Sequence, residues 1–162
     1  MPLPDEFMEN CEMSKQEEAD LILKLYDLRR EPVMREARNW WFTFNPTTSQ
    51  DFVDVLMSDK GAYYRMVVSY WEMAAALVNN GAIDEKMFNE ANGEQIFVYM
   101  KIQQFLPELR AMFNNPEMLG NFEKLVLRVP DIEKRLPEMR ERMKQFMAMA
   151  EERAKAKAAG GQ

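Results

Sequence analysis

Apolar residues recur at helical spacing along most of this chain, and they crowd most densely between Arg65 and Asp84. On a 3.6-residue repeat Arg65, Ser69, Glu72, Ala76 and Asn79 fall within an arc of roughly 80°. Met66, Val67, Tyr70, Trp71, Met73, Ala74, Leu77 and Val78 cover the rest of the circumference. A helix apolar on nearly every side except one polar seam must be wrapped by other helices. The pattern therefore predicts a central helix over about 62–80, with Asn79-Asn80-Gly81 supplying a left-handed cap at its end.

The segments around it read as further helices. Ser14-Lys15-Gln16-Glu17 has the spacing of a capping box and opens a first helix to about Arg30, with Ala19, Ile22, Leu23, Leu25, Tyr26 and Leu28 in one wide stripe. Pro32 suits the first turn of a second, carrying Val33, Ala37, Trp40, Trp41 and Phe44, which Asn45-Pro46 ends. Thr47-Thr48-Ser49 offers caps for a short third helix with Phe52, Val55 and Leu56 inward and Asp51 and Asp54 near its positive end. Asp84 caps a fifth, ending near Asn92-Gly93. A sixth is predicted from Glu94 to Phe113 with a bend at Pro107, and a seventh from Asn115-Pro116 onward with Leu119, Phe122, Leu125 and Val126. Val129-Pro130 precedes a long final helix in which Ile132, Leu136, Met139, Met143, Phe146 and Ala150 follow the four-and-three spacing of an a/d seam, with Pro137 either kinking it or marking its start. The domain plan is an acidic N-terminal arm over 1–13, one helical domain over 14–153 and a frayed tail over 154–162.

Composition supports an all-α multi-helix bundle. There are 15 methionines against 6 glycines, β-branched runs are scarce, and 162 residues suffice for one domain with its own core. The net charge of −6 argues against a general affinity for nucleic acid or an anionic membrane. Basic clusters at Arg29, Arg30, Arg35 and Arg38, and at Lys134, Arg135, Arg140, Arg142 and Lys144, are interleaved with Glu31, Glu36, Glu133, Glu138 and Glu141 and read as solvated, salt-bridged faces. No apolar run approaches the ~20 residues that span a bilayer, no signal peptide is visible, and the lone Cys11 has no partner for a disulfide. A soluble, cytoplasmic protein is expected.

Chemistry is sparse. The chain has no histidine, which removes the commonest general base and the usual zinc ligand, so no His-dependent catalytic or metal site can form and no cofactor or metal is predicted. Glu9, Glu12, Glu17 and Asp20 read as an exposed acidic N-terminus. Gly61, Gly81, Gly93 and Gly120 read as helix boundaries, and the aromatics around Trp40 and Trp41 as core. Glu72 is the exception, since a carboxylate between Trp71 and Met73 is costly unless partnered. Arg65 on the same seam, with Ser69 between, or Arg110 on the sixth helix would provide an ion pair; alternatively Arg65, Ser69 and Glu72 line a polar ligand pocket.

The features Arg65, Tyr70-Trp71-Glu72, Gly81-Ala82-Ile83-Asp84, the aromatic run Ile96 to Phe105, and Phe122-Glu123 make the stretch from Arg65 to Leu125 resemble the DUF4760 family, bacterial helical proteins of unknown function. The resemblance implies a fold and no activity. Many members of the family carry N-terminal membrane-spanning helices, a feature this sequence does not show. Two functional expectations follow. One is a non-enzymatic interaction or scaffold domain, whose Met139, Met143, Phe146 and Met147 face meets a protein partner or a second copy. The other is a small-ligand sensor or His-free enzyme built on Glu72 and Arg65.

Overall fold

The computed structural model describes residues 13–160; the arm expected over 1–13 lies, Met13 apart, outside the described residues, as do Cys11 and residues 161–162. Among the described residues the chain forms nine α-helices and no strand: α1 (Lys15–Arg30), α2 (Pro32–Thr43), α3 (Ser49–Leu56), α4 (Gly61–Asn79), α5 (Glu85–Ala91), α6 (Glu94–Ile102), α7 (Leu106–Met112), α8 (Gly120–Leu127) and α9 (Ile132–Ala159). The fold is all-α. Local chemistry sets most of the starts. Ser14 and Glu17 form the reciprocal capping box of α1, Pro32 occupies the first turn of α2 behind Glu31, Thr48 and Asp51 box α3, and Asp84 accepts from Met87 N at the head of α5.

The bundle is organised around α4, which packs against α2, α3, α5 and α8, while α1 lies on α2 and α5 and α9 lies on α6 and α8. Tyr64, Val67, Val68, Tyr70, Trp71, Ala74, Ala75 and Val78 of α4 are all buried. Its water-facing stripe is Arg65, Ser69 and Met73, so Met73, expected inside, is exposed, and Glu72 turns instead toward α8. Trp41, Phe52 and Tyr64 join α2, α3 and α4 through edge and tilted ring contacts that extend to Phe105. The corner between α3 and α4 requires glycine, because a Cβ on Gly61 would lie 2.4 Å from Leu56 O. At the other end Gly81 takes φ +80° and the Ala82 amide donates to Leu77 O, the expected left-handed cap.

Several expected boundaries shift. The bent helix from Glu94 to Phe113 is two helices, α6 and α7, because Pro107 lacks the amide that would continue the ladder and its ring collides with the preceding turn; it sits instead in the first turn of α7. The helix expected from Asn115-Pro116 begins only at Gly120, after a turn in which Asn114 and Leu119 adopt φ of 48° and 53°. Of the wide α1 stripe only Leu25 is buried, whereas Leu23, Tyr26 and Leu28 are exposed, because this helix packs mainly on α2 and α5 and keeps its outer face in water. Pro137 lies inside α9, which starts at Ile132. The expected a/d seam is buried at Ile132 and Leu136, half-buried at Met139 and Met143, and exposed at Phe146 and Ala150. The helix continues to Ala159, through residues placed by the sequence in a frayed tail.

Candidate functional site

The three seam residues do not converge. Arg65 and Ser69 are exposed, and the Ser69 hydroxyl donates to Arg65 O one turn back at 2.5 Å. Glu72 is half-buried and reaches the first turn of α8, where Oε1 accepts from Asn121 N (3.2 Å) and Asn121 Nδ2 (3.1 Å) and Oε2 accepts from Phe122 N (2.8 Å). The helix needs that help. Its N-cap residue, Leu119, is left-handed and has no side chain able to accept from the orphan amides. A carboxylate delivered from another helix satisfies those amides and sits at the positive end of the α8 dipole. The partner expected for Glu72 was Arg65 or Arg110, but among the described residues Glu72 forms an ion pair with neither. Arg110 instead ties down the turn before α8, donating to Met118 O through Nε (3.0 Å) and Nη2 (2.9 Å) and pairing with Glu123 at 3.1 Å. Asn79 Nδ2 donates to Asn121 O, and Arg128 joins Asn79 to Glu85, so a polar strip runs down the α4–α8 seam.

Two further charged residues act across long sequence separations. Glu94, at the start of α6, is gripped by Arg38 through Nε (2.8 Å) and Nη2 (2.5 Å), with Arg29 Nη1 at 3.5 Å. The side chains of Arg29, Arg38 and Glu94 are 10%, 23% and 14% exposed, so the first basic cluster, expected to be a solvated face, contributes two arginines to an internal triad. The two arginines lie on different helices, α1 and α2, and only packing brought a carboxylate from α6 over them. Lys101, buried in α6, donates to Trp41 O (2.7 Å), Phe42 O (3.1 Å) and Phe44 O (2.8 Å). It thereby closes the C-terminal end of α2, whose last carbonyls have no helical partners. Burial pushes its ammonium down to about 8, and the three carbonyls hold the proton in place at neutral pH. Sequence reasoning passed over Lys101, although its position between Met100 and Ile102 is the same signal that drew attention to Glu72.

Of the face expected at the C-terminal helix, Met139, Met143 and Met147 are half-buried while Phe146 is 68% exposed, next to Met149 at 56%. Met143 and Met147 turn toward a groove of about 590 Å³ between α9, the end of α6 and the α2–α3 loop. Its floor and walls are Met100, Phe105, Pro46 and the two methionines, and Arg140 stands at one end of the α9 wall. Among the described residues no three Asp, Glu, Cys or His side chains gather in a way that would hold a metal ion, and no helix is long and apolar enough to cross a membrane.

Fold and site together define a helical bundle with a capped internal seam and one helix that outruns the rest. The chain belongs to the DUF4760 family, a domain of unknown function, whose model matches residues 16–129. No curated protein and no solved structure matches the chain. The matched range contains the Glu72 cap, the Glu94 triad and Lys101, and it stops before α9.

Proposed function

We propose that this chain is a soluble, cytoplasmic helical interaction domain without catalytic activity, and that its contact surface is the distal part of α9. The observation that supports this reading is the exposure of Phe146 at 68% and Met149 at 56% on a helix whose buried residues are confined to its first two turns. Beyond Leu136 the helix offers water a phenyl ring and the flexible thioether of Met149, with Met147 half-buried beside them, side chains that adapt to a partner's apolar face. A second copy is the simplest partner, since two such helices would bury each other's seam. Light scattering of the intact chain over a concentration series tests this, with Phe146→Glu as the matched control. Association in the parent chain that is abolished in the variant supports the reading. A monomer at every concentration, or association that the variant leaves intact, refutes self-association through α9.

A further inference from the structure

The groove under α9 carries positive charge that no carboxylate among the described residues neutralises. Arg140 Nη1 donates to Met100 O (3.3 Å) and Gln103 Oε1 (2.9 Å). With the Gln104 amide turned so that its oxygen faces the guanidinium, Nε and Nη2 donate to that oxygen at 2.6 and 3.2 Å. All of these acceptors are uncharged. Of the five N–H groups of an arginine, one on Nη2 remains unused. Lys101 behind it is likewise held only by backbone carbonyls, and Lys144, one turn further along α9, forms no ion pair among the described residues. Among the described residues the only carboxylate on the groove, Glu151, stands at the far end and is paired with Lys155 at 2.9 Å. In a chain of net charge −6, three cations that have no counter-ion among the described residues gather at one end of an apolar groove.

We propose that this groove binds a fatty carboxylate, with the carboxylate head against Arg140 and Lys144 and the hydrocarbon chain along Met100, Phe105, Met143 and Met147. From Arg140 to Glu151 the α9 wall is about 16 Å long at 1.5 Å per residue, a length suited to a single extended chain. The volume is within the usual range for small-molecule sites, as is an apolar lining with a few polar groups. Methionine walls suit a flexible chain because their rotamers reshape at low cost. The head group would take up the free Nη2 N–H and supply the missing negative charge. This inference does not rest on self-association, because Phe146 lies outside the groove lining.

Calorimetric titration of the intact protein with dodecanoate, below its micellar concentration, tests the proposal alongside octanoate and the uncharged dodecyl maltoside. Dodecanoate should bind tightest, and each methylene removed should weaken binding up to about fourfold. Lys144→Glu, at an exposed position, should weaken dodecanoate about tenfold. Ala148→Trp, also exposed and on the groove, should abolish binding with thermal stability unchanged. The proposal is overturned if dodecanoate gives no saturable binding, if the uncharged amphiphile binds as tightly, if both variants bind like the parent, or if the protein sediments with anionic vesicles while ignoring monomeric dodecanoate.

Discussion

Replacing Glu72 by Gln should destabilise the protein through α8, a helix that touches residue 72 only because the bundle folds. The carboxylate accepts three hydrogen bonds, two of them from backbone amides in the first turn of α8. Glutamine has nearly the same shape but only one accepting oxygen, so at least one of those amides would face an NH₂ group. Leaving a part-buried amide unsatisfied costs about 1–3 kcal/mol. Losing the negative charge at a helix N-terminus costs about 0.3–1 kcal/mol more. The expected sum is about 2–3 kcal/mol, which for a chain of this size lowers the melting temperature on the order of 5–10 °C. Urea unfolding followed by far-ultraviolet circular dichroism measures it. Two controls on the same helix isolate the cause: Arg65→Ala and Ser69→Ala alter exposed side chains and should each stay within about 0.5 kcal/mol of the parent. A cycle combining Glu72→Gln with Asn121→Ala should show coupling above about 0.5 kcal/mol, because the Asn121 amide is one of the donors. If Glu72→Gln is neutral, or Arg65→Ala costs as much, the carboxylate does not act as the cap of α8 and the reasoning fails.

Glu94→Gln should be at least as damaging, about 3–5 kcal/mol, because it strands the Arg29 and Arg38 guanidiniums inside the α1–α2–α6 junction; a melting temperature close to the parent's would contradict an internal triad. Gly61→Ala places a methyl group 2.4 Å from Leu56 O and should cost about 1–3 kcal/mol in chemical unfolding, whereas Gly93→Ala, which meets open space, should not. Asp84 is held below its ordinary 3.8, first by the Met87 amide and then by the Lys15 ammonium. A carboxyl group depressed on folding contributes stability above its unfolded value and loses it as pH falls through the folded one. The stability gap between the parent and Asp84→Asn should therefore be constant from neutral pH down to about 5 and close under more acidic conditions, as acid titrations at fixed temperature would show.

The parts of this protein that could be read in advance are those made by residues three or four positions apart. The Ser14–Glu17 box, Pro32 in the first turn of α2, the Thr48 and Asp84 caps and the left-handed Gly81 all join near neighbours, so their chemistry lies within one helical turn of sequence. The burial of α4 was legible for a related reason, since a helix apolar on most sides has few arrangements open to it. The break between α6 and α7 was half visible: Pro107 marked the place, but whether a helix bends or stops there depends on what its neighbours pack against.

Sequence alone determined that the chain is helical, that the segment near 62–80 is its hub, and that Glu72 needs a partner. Which partner it takes was decided only in three dimensions. Glu72 and Phe122, Arg38 and Glu94, and Lys101 and Trp41 are separated by 50, 56 and 60 residues, and no periodicity links such positions. A charged side chain inside an apolar helix must be satisfied, but the acceptors and donors available to it are the loose ends of other helices, and those ends meet only after the helices pack. The same holds for the groove beneath α9, whose walls come from three parts of the chain that share no pattern and acquire a common surface through the bundle's geometry.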